Sequence, residues 1–64
     1  DDVTEVTLGC RVVIRNIIDK ETKTYKYDML NGMLPKAVEV FTGCKVGDVI
    51  EMMGHEWKIE NIVF

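Results

Sequence analysis

The stretch VTEVTLGCRVVIRNII, residues 3–18, decides the fold. It is rich in Val, Ile and Thr, and its middle alternates, with Val12 and Ile14 on one side and Arg11, Val13 and Arg15 on the other. A period of two is that of a β-strand, whose successive side chains point to opposite faces, and the arginines make one face the wetter. Gly9 interrupts the pattern, which predicts a turn or bulge between a short lead-in, residues 3–7, and the long strand. Asp19-Lys20-Glu21-Thr22 separates this strand from TKTYKYD, residues 22–28, where Thr, Tyr and alternating Lys again favour extended chain. Two such runs across a short polar connection read as a hairpin. Thr24 and Lys26 share one face of the second run and Tyr25 and Tyr27 the other, so the tyrosine rings are expected to cover the edge of a core.

Beyond the hairpin, Asn31-Gly32 is a turn signal, because both residues tolerate positive φ. Pro35 suits the first turn of a helix, where its missing N–H has no intrahelical partner to lose. Leu34, Ala37, Val38 and Phe41 follow at spacings of three and four, which predicts one helical stripe of about two turns facing a sheet. Gly43 ends the stripe as a left-handed C′ glycine would. A tight turn is expected at Gly47-Asp48, then a strand over residues 49–53, a turn at Gly54-His55 and a closing strand over residues 56–64. Trp57 and Ile59 alternate cleanly, whereas Ile62 is out of phase, so a bulge near Asn61 is required to return Ile62 to the core. Strand, strand, helix, strand, strand gives an α+β fold, an antiparallel sheet with one short helix packed on one face.

The 64 residues suffice for a single domain, residues 1–64, with a thin core. Eight Lys and Arg against eleven Asp and Glu leave a net charge of −3, and no two basic residues are adjacent, so a nucleic-acid partner is not expected. Cys10 and Cys44 are too few for a disulfide framework. No apolar run exceeds three residues, which encodes neither a signal segment nor a membrane span, and a cytoplasmic location is expected. The start at Asp1-Asp2 without Met suits a domain cut from a longer protein.

Chemistry-bearing constellations are absent from the sequence. The sole histidine, His55, has no nucleophile or ligand set around it and reads as an exposed turn residue. Glu51, Glu56 and Glu60 read as solvent-facing strand positions rather than an acid and base pair. Gly43 and Gly47 lack the Walker spacing. Met29, Met33, Met52 and Met53, with Leu30, are expected to fill an irregular core, the alternative being an adaptable binding surface. No catalytic, cofactor-binding or metal-ligating residue is assigned, and the expectation is a binding module rather than an enzyme.

Val6-Thr7-Leu8-Gly9-Cys10-Arg11-Val12-Val13-Ile14 resembles the opening strand of the C-terminal domain of the Gre transcript-cleavage factors. Gly43-Cys44-Lys45-Val46-Gly47-Asp48-Val49-Ile50-Glu51, followed by Trp57-Lys58-Ile59-Glu60-Asn61-Ile62, resembles that family's closing segment, including the out-of-phase isoleucine. The resemblance implies an FKBP-like fold that docks on bacterial RNA polymerase near its secondary channel, without direct nucleic-acid binding by this domain. In the family a separate coiled coil carries the acidic residues that assist Mg²⁺-dependent RNA cleavage, and these 64 residues contain no such arm. The expectation is therefore the docking half of a transcription elongation factor, or a relative that docks for another purpose. Leu34, Pro35, Lys36, Gly43 and Lys45 are the expected partner-binding residues. Gly9, Val12, Ile14, Phe41, Gly47, Asp48, Trp57, Ile59 and Ile62 are expected to be structural. One departure is that the family places a Ser-Pro pair and a glycine at the helix start, where this chain has Leu34-Pro35-Lys36-Ala37-Val38. The alternatives are a structural or protein-interaction module of the same fold and a peptidyl-prolyl isomerase, for which the few aromatic residues leave little to line a pocket.

Overall fold

Alternation of apolar and polar residues settles the centre of the sheet. The computed structural model describes residues 5–64. In it β1 (Cys10–Asn16) buries Cys10, Val12, Ile14 and Asn16 and exposes Arg11 and Arg15 between them. β2 (Thr22–Tyr27) returns antiparallel, setting Cys10 opposite Tyr27 and Arg15 opposite Thr22. Tyr27 is buried and Tyr25 packs against the core.

The strand stops short of the run read from the sequence. Asn16 Oδ1 accepts the N–H groups of Ile18 at 2.8 Å and Asp19 at 3.1 Å, a local bonding pattern that competes with the ladder. Ile17 and Ile18 therefore lie in the connection, and Ile18 is 85 % exposed. The buried Asn16 side chain is thereby satisfied, as an interior polar group must be. Of the lead-in, Val3 and Thr4 lie outside the described residues. Glu5 forms an isolated antiparallel bridge with Lys45, and the Val6 N–H donates to the Cys44 carbonyl at 2.9 Å, so this piece lies against the 44–45 segment and does not extend β1.

The second half supplies β3 (Val49–Met52) and β4 (His55–Val63). The sheet order is β2-β1-β4-β3 with every neighbouring pair antiparallel. Both turns expected here sit one residue earlier. The first centres on Val46-Gly47, closed by Asp48 N–H to the Lys45 carbonyl at 3.0 Å. The second centres on Met53-Gly54, both at positive φ (54° and 77°), and His55 is the exposed first residue of β4. Two consecutive left-handed residues are what a two-residue hairpin loop needs to match strand twist.

The expected bulge is present. β4 pairs with β1 through Ile59 opposite Ile14 and Asn61 opposite Val13, leaving Glu60 as the extra residue. Ile62 thus returns to the inner face and is buried opposite Val12.

α1 (Lys36–Glu39) is a single turn, not two. Val38 and Phe41 are buried and Leu34 packs against the core, but Ala37 is exposed and does not belong to the stripe. A helix this short is held by tertiary contacts and not by propensity. The Phe41 ring lies 5.8 Å from that of Tyr25, and Tyr27 Oη is 2.7 Å from Thr42 Oγ1, which ties the segment after α1 to β2. The result is α+β, a four-stranded antiparallel sheet with one short helix. The helix segment covers the inner face, and no described element covers the outer one.

The methionines correct the core-filling expectation. Only Met52 packs against the core, while Met29, Leu30, Met33 and Met53 are between 49 % and 72 % exposed. They sit in or beside tight turns, and a turn whose backbone bonds close locally has no second layer to bury its side chains.

Candidate functional site

The segment between β2 and α1 is built around Asn31-Gly32, at φ 54° and 77°. Leu30 and Met33 exchange both backbone hydrogen bonds across it, at 2.7 and 3.0 Å, so a small closed loop projects Met29, Leu30 and Met33 into solvent. Asp28 Oδ1 accepts the Met29 N–H at 2.8 Å and fixes the take-off from β2. Leu34 turns inward, Pro35 precedes the helix at φ −59° and ψ 142°, and Lys36 is the exposed first helical residue. Leu34, Pro35 and Lys36 thus follow directly on an exposed apolar loop. These three are expected partner-binding residues, whereas the loop's methionines, expected in the core, are exposed. The signal available was the Asn-Gly turn itself, which sets its flanking residues at a surface tip.

Gly43 and Lys45 belong to the segment after α1. Gly43 has φ 77°, and the Cys44 N–H returns to the Phe41 carbonyl at 3.0 Å. Lys45 is exposed; its N–H donates to Asp48 Oδ2 at 2.8 Å. Gly47 and Asp48 anchor this loop to β4 through Gly47 N–H to the Ile59 carbonyl and Ile59 N–H to the Asp48 carbonyl, both 2.9 Å. Asp48 is therefore a turn-closing residue, and Gly47, at φ 98°, supplies the left-handed third position of that turn. Gly9 occupies another turn, at φ 93°, and Val12, Ile14, Phe41, Trp57, Ile59 and Ile62 are all in the core cluster.

The thiols are unbonded to each other. Cys10 is fully buried, whereas Cys44 Sγ donates to the Val40 carbonyl at 3.4 Å. Burial, and secondarily the Asp48 carboxylate, pushes the Cys44 pKa up. That is the reverse of what activates a thiol as nucleophile. Among the described residues no three His, Cys, Asp or Glu side chains gather as metal ligands, and no helix is long and apolar enough to cross a membrane. Phe41, Trp57 and Tyr27 are consumed by the core, with exposures of 0, 2 and 7 %, and so are not free to line an aromatic groove.

No family model, curated protein or solved structure matches the chain.

Proposed function

We propose that the chain is a protein-docking module of the Gre type, with an FKBP-like fold, that binds bacterial RNA polymerase in the cytoplasm and has no catalytic activity of its own. The observation that carries the docking role is the hydrogen-bonded Leu30–Met33 loop, which exposes Met29, Leu30 and Met33 next to Leu34, Pro35 and Lys36. A clustered apolar tip on so small a domain favours a protein partner, and thioethers adapt to an irregular partner surface. The polymerase as partner rests on the resemblance of the Val6–Ile14, Gly43–Glu51 and Trp57–Ile62 segments to the Gre C-terminal domain.

The test mixes the purified chain with stalled, backtracked elongation complexes and follows both association and RNA shortening. The expected result is association without added cleavage, lost when Met29→Ser, Leu30→Ser and Met33→Ser are combined. Their exposed positions predict that this triple variant keeps its denaturation midpoint. Stimulated cleavage would overturn the non-enzymatic reading, and absence of association would remove the polymerase as partner. Catalysis of prolyl isomerisation by the chain would replace the docking role altogether.

A further inference from the structure

Folding concentrates cations that are scattered in the sequence. On the outer face of the sheet, strand register sets Arg11 directly opposite Lys26 on β2 and Arg15 directly opposite Lys58 on β4. All four side chains are exposed. Like charges directly opposed across strands work against the fold. The two pairs are only partly relieved, by Glu60 on Arg15 at 3.5 Å and Asp28 on Lys26 at 3.9 Å. Among the described residues, Arg11 and Lys58 have no ion-pair partner. Between the pairs lie Val13, Thr24 and Asn61, with the bulge residue Glu60 beside Asn61, and beyond Lys58 the same face carries Glu51 opposite Glu56.

Arg15 and Lys58 also border a recess of about 250 Å³, to which Lys20 in the β1–β2 connection contributes a third cation and Glu60 one carboxylate, so that cations outnumber anions three to one. Arg11 and Arg15 stand four residues apart on one strand, about 13 Å at roughly 3.3 Å per residue. An extended peptide repeats its own side chains on one face with the same step, so carboxylates four residues apart in such a peptide match the two cation pairs.

We propose that this outer face binds an extended acidic protein segment, with one carboxylate between Arg11 and Lys26 and a second in the recess beside Arg15 and Lys58. Two features favour an acidic peptide over a nucleic-acid strand. Tyr25, Tyr27, Phe41 and Trp57 all belong to the core side, which leaves Phe64, just past the end of β4, as the one described aromatic ring free to stack, and a single ring is no platform for successive bases. The chain as a whole carries −3, so its attraction for an anion is local and suited to a partner of matched spacing, not to a uniform polyanion. The surface is distinct from the Leu30–Met33 loop, and the inference does not rest on the polymerase reading.

The test titrates the 64-residue chain, followed by backbone and side-chain NMR, with a short synthetic peptide carrying glutamates four residues apart, at low and at physiological ionic strength. Resonances of Arg11, Arg15, Lys26 and Lys58 should move together, with affinity falling as salt rises. Arg11→Gln and Lys58→Gln should each weaken binding about ten-fold, in line with a close charge pair at an interface. Each variant also removes one member of a repulsive pair, so at low salt its denaturation midpoint should stay level or rise, which separates lost binding from lost folding. Shifts confined to other surfaces, or unchanged affinity in both variants, would overturn the proposal. So would a lowered midpoint in both. An oligothymidylate that binds this face as tightly as the peptide would overturn it in favour of a nucleic-acid site.

Discussion

Trp57 is 2 % exposed, and its indole N–H donates to the Met52 carbonyl at 3.1 Å while Lys23 Nζ lies 5.4 Å from the ring centroid. The ring therefore fills the core beside Ile50 and also bonds across the β3–β4 turn. Trp57→Ala should cost about 3 to 5 kcal/mol, and a denaturation midpoint equal to that of the parent chain would contradict this account. At Gly43 the cost is of another kind. A Cβ there would meet no atom within 4 Å, so the strain of a substitution lies wholly in the φ of 77°. Gly43→Val should lose about 1 to 2 kcal/mol, and Gly43→Asn less, because Asn tolerates the left-handed region. Equal losses for the two would show that the backbone angle is not the cause. Cys44 gives a pH prediction. Its pKa is raised in the fold by burial first and Asp48 second, so the protonated thiol is the form the fold favours. That contribution is complete at neutral pH and is lost as pH rises through the alkaline range of the thiol. Alkylation of Cys44 should accelerate at a higher pH than for an unstructured cysteine peptide; acceleration at a lower pH would refute the assignment.

At the scale of elements, the bulge in β4 is the informative irregularity. Glu60 is the residue left over between Ile59 opposite Ile14 and Asn61 opposite Val13. Deleting Glu60 should leave a regular ladder with Ile62 still inward and should cost little, since the exposed Arg15–Glu60 contact at 3.5 Å is of the weak kind. Deleting Lys58 instead places Trp57 and Ile59 on opposite faces and should abolish cooperative unfolding. Comparable thermal transitions in the two deletions would exclude the bulge as described. Met53 offers a gain, for it holds φ 54° in the β3–β4 turn and is 61 % exposed. Met53→Asn creates the Asn-Gly pair such a turn prefers and should stabilise by about 1 kcal/mol, read from the same transition. The β elements were legible in the sequence because period-two alternation, aromatic placement and the misplaced Ile62 are local signals. The helix was not. Leu34, Ala37, Val38 and Phe41 have helical spacing, but after one turn the chain bends at Thr42-Gly43, and only the packing of Val38 and Phe41 on the sheet decides where it stops.

For the whole molecule, strand order predicts the hierarchy of local stability. β1 and β4 are central, and β2 and β3 are edges. Hydrogen exchange should find Val12, Ile14 and Ile59 the most protected amides and Lys36–Glu39 among the first to exchange, because protection follows buried, laddered backbone. Protection of α1 above β1 would contradict that order. Alternation in residues 10–16 and 22–27, the turn signals at Gly9, Asn31-Gly32, Gly47 and Gly54, and the inward role of Trp57, Ile59 and Ile62 were determined by the sequence alone. Each depends on side-chain period or backbone preference within a few residues. The order β2-β1-β4-β3, the exposure of Met29, Leu30 and Met33, and the pairing of Arg11 with Lys26 and Arg15 with Lys58 were decided only by the tertiary structure. Lys58 lies far from Arg15 in the chain, and no local preference brings the two together. Strand register does so, and it is set by burial of Ile14 against Ile59 on the opposite face of the same two strands.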